Sequence, residues 1–272
     1  MLNKRIQNGS TSSPSRVKSR GGFSLAEVLM ALGILAMGMV FIAGVFPAGI
    51  YFTAISTERT MATVIADEAF AKIRLYGVDL NSPVSGGLPA QGCADFVLVS
   101  RFKFKDALPL PPLAMGEFLY PSDPNISEIN KQYCWSALCR KASGSMPGET
   151  LVQVTVFVNR LTWAGATYPN GGGSHQQWPA PVKVGITTVV APDALMINDA
   201  QKTLITSGST IVEDTTGRIY RVLSHDSLDG KKIYLDRPWV SVIGAISVWV
   251  MPPPVNGGRY PCVGVYQKEI VF

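Results

Sequence analysis

Charge is scarce in this chain. Asp, Glu, Lys and Arg make up only 16% of its 272 residues, against about a quarter in an ordinary soluble domain, while 47% of the residues are hydrophobic. That deficit argues against a coiled-coil rod or an ordinary cytosolic enzyme and points to a segment that sits in lipid. Gly and Pro, at 26 and 19 residues, stay below the level at which disorder becomes the default. Histidine is scarcer still. There are two, His175 and His225, neither in an HExxH pattern nor beside a second ligand at metal spacing. The four cysteines form no CxxC knuckle, which argues against a zinc site. Ser174-His175 lacks the following glycine of a nucleophile elbow, and no phosphate-cradling GxxxxGK[ST] loop is present. No cofactor is expected, and these absences point away from an enzyme.

Acidic residues are missing from one stretch altogether. Residues 1–22 hold five bases, Lys4, Arg5, Arg16, Lys18 and Arg20, and no acid; elsewhere the remaining 19 bases balance 19 acids. The net charge of +5 therefore belongs to a short N-terminal arm. A basic globular face for nucleic acid is not supported, and no nucleic-acid partner is expected.

What the chain does have follows that arm. Residues 23–56, FSLAEVLMALGILAMGMVFIAGVFPAGIYFTAIS, carry one charge, Glu27. The uncharged run Val28 to Phe52 exceeds the ~20 residues that span a bilayer core. A Lys/Arg-rich flank on one side only predicts a cytoplasmic N-terminus and an exported C-terminal bulk. A secretory signal would have a shorter apolar region with a small-residue cleavage site after it; here the small pair Gly21-Gly22 precedes the run. Cleavage there leaves the membrane helix on the product.

The segment Arg20-Gly21-Gly22-Phe23-Ser24-Leu25-Ala26-Glu27-Val28-Leu29 resembles the signal of type IV pilins and type II secretion pseudopilins. The resemblance covers roughly residues 16–60. It implies that a prepilin peptidase cuts between Gly22 and Phe23 and methylates the new amine of Phe23. It implies that Glu27 pairs in the membrane with the amine of a neighbouring subunit. The implied partners are other pilins or pseudopilins and an inner-membrane assembly platform with its ATPase, which supplies the energy. The implied location is the bacterial inner membrane, single-pass, with a periplasmic C-terminal domain, and then the pilus or pseudopilus. Elementary energetics agree: an unpaired carboxylate in hydrocarbon costs roughly 2.5 to 3.5 kcal/mol, and a partner amine removes most of that. A plain signal anchor has no need of a glutamate at this place.

The helix is expected to run on to Tyr76. Ile55, Ala62, Ile65, Ala69, Ile73 and Tyr76 recur at helical spacing beside Glu58, Arg59, Asp67, Glu68, Lys72 and Arg74, an amphipathic stripe. Lys72, Arg74 and then Gly77 make a stop. Fully helical, residues 23–76 reach about 80 Å. Gly44 and Ala48 form a small-xxx-small pair that allows close helix approach. Pro47 is expected to kink or locally melt the helix near residues 43–46, because it cannot donate to the carbonyl four residues back.

From Asn81 the period changes to two. Short strands are predicted at residues 96–99 and 102–104, a loop at the proline run 108–113, and longer strands at Tyr133–Cys139 and Leu151–Val158. The tyrosine–tryptophan strand followed by a valine-rich one is similar to minor pilins. A second break falls at 169–181, PNGGGSHQQWPAP, and strands resume beyond it with turn signals at Asp193, Ser207-Gly208, Thr216-Gly217, Asp229-Gly230 and Asn256-Gly257-Gly258. Asp226 to Gly230 reads as a hairpin turn, although similar loops hold calcium in major pseudopilins.

Cys93, Cys134, Cys139 and Cys262 are an even set in an exported domain, so disulfides are permitted. Cys134 and Cys139 cannot pair if both lie in one straight strand, where five residues separate them by about 17 Å, beyond the roughly 4.4 to 6.8 Å a disulfide needs. Across a turn they can. Three connectivities stay open, as do free buried thiols.

The expected class is α+β: a leader at 1–22, a long N-terminal helix at 23–76 (membrane half about 23–52, amphipathic half about 53–76), a pilin-like antiparallel β region at 77–168, a linker at 169–181 and a second β-rich module at 182–272. The expected function is a prepilin-type structural subunit, a minor component of a type II secretion pseudopilus or type IV pilus. The alternative is a single-pass anchored periplasmic binding protein or hydrolase.

Overall fold

The computed structural model describes residues 22–77, 97–98, 115–127, 130–142, 151–161, 165–170, 174–228, 230–240 and 246–272. Among the described residues one α-helix, α1 (Leu25–Tyr76), precedes thirteen strands: β1 (Val97–Leu98), β2 (Leu119–Tyr120), β3 (Tyr133–Lys141), β4 (Leu151–Arg160), β5 (Tyr168–Pro169), β6 (His175–Gln176), β7 (Val182–Ala191), β8 (Ala194–Ile197), β9 (Thr210–Glu213), β10 (Ile219–His225), β11 (Lys232–Leu235), β12 (Ile246–Val250) and β13 (Cys262–Val271). The class is α+β, with antiparallel sheets. The chain divides into two compact units, Met1–Ala54 and Ile55–Phe272. The predicted strand at 102–104, the proline run at 108–113 and Cys93 lie outside the described residues.

Within the first unit, the described residues are α1 and the three residues before it, and all from Gly22 to Ala54 are exposed. The helix is continuous through Pro47. Thr53 Oγ1 donates to the Gly49 carbonyl at 2.8 Å. The helix is long and apolar enough to cross a membrane.

In the second unit, residues 55–76 of α1 bury a stripe against a sheet. Ala62, Ile65, Ala69 and Ile73 are buried as their spacing predicts, Ala66 and Phe70 widen the stripe, and Ile55 is half-buried. The helix stops where Gly77 takes φ 68° and its amide donates to the Ile73 carbonyl at 3.0 Å, a left-handed cap that glycine adopts without a Cβ clash.

The sheet runs β1-β3-β4-β13, with β2 beside β1's end of the order, also on β3. Both its faces are covered. Trp135, Ala137 and Cys139 of β3 and Val152, Val154, Val156 and Val158 of β4 face α1, while Leu138 and Phe157 point the other way and meet Val212 and Met251. Burial on both faces accounts for the nearly unbroken apolar run LVQVTVFV in β4.

Strands β7 to β12 close on themselves in the order β10-β11-β8-β7-β12-β9. This six-stranded barrel is filled by Val184, Ile211, Val222, Ile233, Val248 and their neighbours, with Tyr220 and Trp239 stacked at 4.7 Å. Closure leaves no free sheet edge. The expected module 182–272 divides: the barrel takes Val182 to Val250, whereas β13 pairs with β4 from Cys262↔Asn159 to Val271↔Leu151. The barrel is thus inserted between two neighbouring strands of the sheet. Antiparallel neighbours need only close ends, and the barrel's entry and exit supply them.

The barrel's β9–β10 turn is pinned to the sheet. Arg140 donates to the carbonyls of Thr215 and, at 2.6 Å, Thr216, and Gln267 Nε2 to Gly217 O at 2.9 Å. Gly217 sits at φ +72°, and a Cβ there would stand 2.8 Å from Gln153 Oε1, so the end of that side chain would have to shift. Next to this turn, the buried carboxylate of Asp214 accepts from Trp249 Nε1 at 2.6 Å and Ser247 Oγ at 3.1 Å and pairs with Lys183, which offsets its desolvation.

Candidate functional site

The motif residues stand at the start of α1. Gly22 and Phe23 precede the helix, and Phe23 is 81% exposed. Ser24 caps it: its Oγ accepts from Ala26 N at 3.2 Å and its carbonyl from Glu27 N at 3.0 Å and Val28 N at 3.2 Å. A serine at this place satisfies amides that have no partner within the first turn. The Gly22–Phe23 peptide therefore lies just outside the helix, with both residues exposed. Glu27 falls in the first turn, where a carboxylate opposes the positive end of the helix dipole. Its side chain has no hydrogen-bond or ion-pair partner among the described residues.

Behind Glu27 the helix surface is apolar in every direction. Leu29, Ile34, Val40, Phe41, Phe46 and Ile50 are each at least 59% exposed, and no described residue of the unit covers them. A helix apolar all round is stable only in lipid or among other helices. The site is thus a reachable peptide bond, a free carboxylate one turn on, and an uncovered apolar shaft with Gly44 and Ala48 on it.

No family model, no curated protein and no solved structure matches this chain.

The cysteines follow a different logic. Cys134 and Cys139 both lie in β3, five residues apart on opposite faces. Cys134 and Cys262 each stand opposite Asn159, one on either side of β4, so two strand spacings of about 4.8 Å separate them, beyond disulfide reach. All three are free thiols. Burial pushes the Cys134 and Cys262 thiols up to about 12, against a hydrogen bond with Asn159 for the first and with the Gly264 backbone for the second. Burial alone raises Cys139. Thiols held protonated are poor nucleophiles and poor metal ligands.

His175 is exposed on β6, and His225 Nδ1 contacts Gly230 O at 3.1 Å across the β10–β11 turn. The described residues hold no group of three His, Cys, Asp or Glu able to bind a metal. Asp226 and Gly230 form a turn, Gly230 N donating to Asp226 O at 3.2 Å; Asp229 is outside the described residues.

One arrangement has no counterpart in the sequence reading. Glu58 of α1 accepts from Arg160 at 2.8 and 3.0 Å and from Arg259 at 3.1 and 3.2 Å. Its partners are 102 and 201 residues away, and no local pattern links them.

Proposed function

We propose that this chain is a prepilin-type structural subunit. A prepilin peptidase releases it between Gly22 and Phe23 and methylates Phe23, and its helix then joins a pseudopilus or pilus as a minor component, without catalysis of its own. The pilin-like arrangement of a long helix on an antiparallel sheet is part of this reading. The observation that carries it is the sequence Gly22-Phe23 with Glu27 ahead of an apolar helix that no described residue of its own unit covers. Each feature has a task in assembly. The exposed Gly22–Phe23 peptide is the cleavage site, the apolar shaft packs against other shafts, and Glu27, which has no side-chain partner among the described residues, receives a neighbour's amine, which sets the stagger of subunits. The periplasmic sheet and barrel are displayed sideways by that packing. The inner membrane is the expected starting place and an assembly platform with its ATPase the expected driver.

The intact mass and N-terminal sequence of membrane-extracted protein, with and without prepilin peptidase, test this. A chain beginning at N-methylated Phe23 only when the peptidase is present is the expected result. A chain that keeps its N-terminus in both samples overturns the reading. A single-pass anchored binding protein then remains, and the closed barrel is the module that would do the binding. The two readings also part at Glu27→Leu, which leaves a plain anchor in the membrane and removes an assembly subunit from its filament.

A further inference from the structure

One end of the folded unit carries an excess of positive charge, and it is the end at which the chain enters from the apolar segment. Glu58 is four residues beyond Ala54. Its single carboxylate holds two guanidiniums, from Arg160 at the end of β4 and from Arg259 between β12 and β13. Arg59, next on the helix, is exposed and adds a third positive charge. Arg160 Nε is buried without a hydrogen-bond partner among the described residues. The loop carrying Arg259 is exposed from Val255 to Arg259, with Val255 46% and the Arg259 side chain 52% exposed. The far ends of β4 and β13 border the other end of the helix, near Asp67 and Arg74. Arg160 and Arg259 therefore meet the helix at Glu58, away from the end that carries Asp67 and Arg74.

We propose that this rim, Arg160 and Arg259 held on Glu58 with Arg59 next to it in the chain, seats the phosphate of a membrane lipid headgroup. The inference rests on the membrane-helix reading above and adds a partner to it. Chain connectivity supplies the proximity: four helical residues rise about 6 Å, and the polar layer on each side of a bilayer core is about 5 to 8 Å deep. A side chain so close to the end of the apolar run meets lipid phosphates before any other anion. Guanidinium groups take phosphate oxygens in paired, charge-assisted hydrogen bonds, and one carboxylate shared by two arginines leaves donors over. Val255 beside Arg259 gives the loop tip an apolar contact at the interface.

The test uses the full chain in two settings, phosphatidylglycerol–phosphatidylethanolamine nanodiscs and phosphate-free dodecyl maltoside micelles. Phenylglyoxal modification of Arg259 is followed by peptide mass spectrometry, with exposed Arg218 and Arg221 of the barrel as references. Arg259 is expected to react several-fold more slowly in nanodiscs than in micelles, with the references unchanged and inorganic phosphate in the micelles giving no protection. Equal rates in both settings overturn the proposal. So does protection by inorganic phosphate, which would assign the rim to a soluble anion. Glu58→Gln separates shielding by the carboxylate from shielding by lipid: nanodisc protection is expected to persist, and its loss overturns the lipid seat. A chain that does not co-elute with nanodisc lipid overturns the membrane reading itself. A co-eluting chain with a fully reactive Arg259 overturns only the headgroup seat.

Discussion

Glu58 and Arg259 are 201 residues apart in the chain, yet the two Nη atoms of Arg259 stand 3.2 and 3.1 Å from the two carboxylate oxygens of Glu58. Arg160 closes on the same carboxylate from β4. The helix, the middle of the chain and its last loop are thus tied at one group. Glu58→Ala leaves both arginines without that acceptor. The expected loss is about 1 to 2 kcal/mol, toward the lower end of what a removed charged partner costs, because half-exposed Arg259 regains water. The denaturant midpoint followed by tryptophan fluorescence measures it, and an unchanged midpoint would mean that the clasp adds nothing to stability.

Gly217 meets two constraints at once, a positive φ and the Gln153 amide where its Cβ would be. Gly208 has φ +88° and open space around it. Gly208→Ala is expected to cost about 1 kcal/mol from backbone strain alone, and Gly217→Ala about 1 to 3 kcal/mol. Comparing the two midpoints isolates the wall formed by Gln153, and equal losses would show that this side chain simply moves aside.

Phe157 is fully buried where the sheet meets the barrel, with Leu138, Val212 and Met251 around it. Phe157→Ala is expected to cost about 3 to 5 kcal/mol, transfer and cavity together. Limited proteolysis should then find the barrel strands first, since this cluster holds them against the sheet. A midpoint within experimental error of wild type would contradict the packing described.

The buried thiols make stability depend on alkaline pH. Cys134 and Cys262 bind their protons more tightly when folded, with the thiol raised from 9.0 to about 12 in each. Between those values the folded state holds a proton that the unfolded state has released. Their contribution is therefore complete below about pH 9 and is lost as pH rises toward about 12, at up to about 1.4 kcal/mol per pH unit for each group. Denaturant midpoints over that window should fall less steeply for Cys134→Ala than for wild type. At neutral pH a maleimide is expected to leave the buried Cys134 and Cys139 unmodified until denaturant is added.

Much of the architecture is legible from local pattern. The stretch from Leu25 to Tyr76 has one period and one stop, so the alanine–isoleucine stripe and the Gly77 cap can be read from spacing alone. The same holds for β3 and β4, whose apolar runs need no partner to be recognised as strands, and for turns such as Thr216-Gly217 and Asn256-Gly257. The grouping of Gly22, Phe23 and Glu27 is legible for a related reason: their distance along one helix end is set by the covalent chain.

Pairing is a different matter. The residues of β13 alternate as any strand might, and nothing in them names β4 as a neighbour on the far side of a barrel. That choice depends on which apolar faces remain uncovered once α1 and the barrel have packed, and each of these is a sum over many side chains. Closure of β7 to β12 likewise requires β12 to enter between β7 and β9, a matter of register that local sequence does not carry. Cys134 and Cys262 became unpairable only when Asn159 came to lie between them.

From residues alone come a helix that needs lipid or other helices around it and a carboxylate in its first turn. Spacing of 1.5 Å per residue decides both, because neighbours along a helix are neighbours in space. The inserted barrel, the free thiols on either side of Asn159, and the meeting of Glu58 with Arg160 and Arg259 were decided by the tertiary structure. Bringing such distant groups together costs loop-closure entropy that only a whole packed core repays.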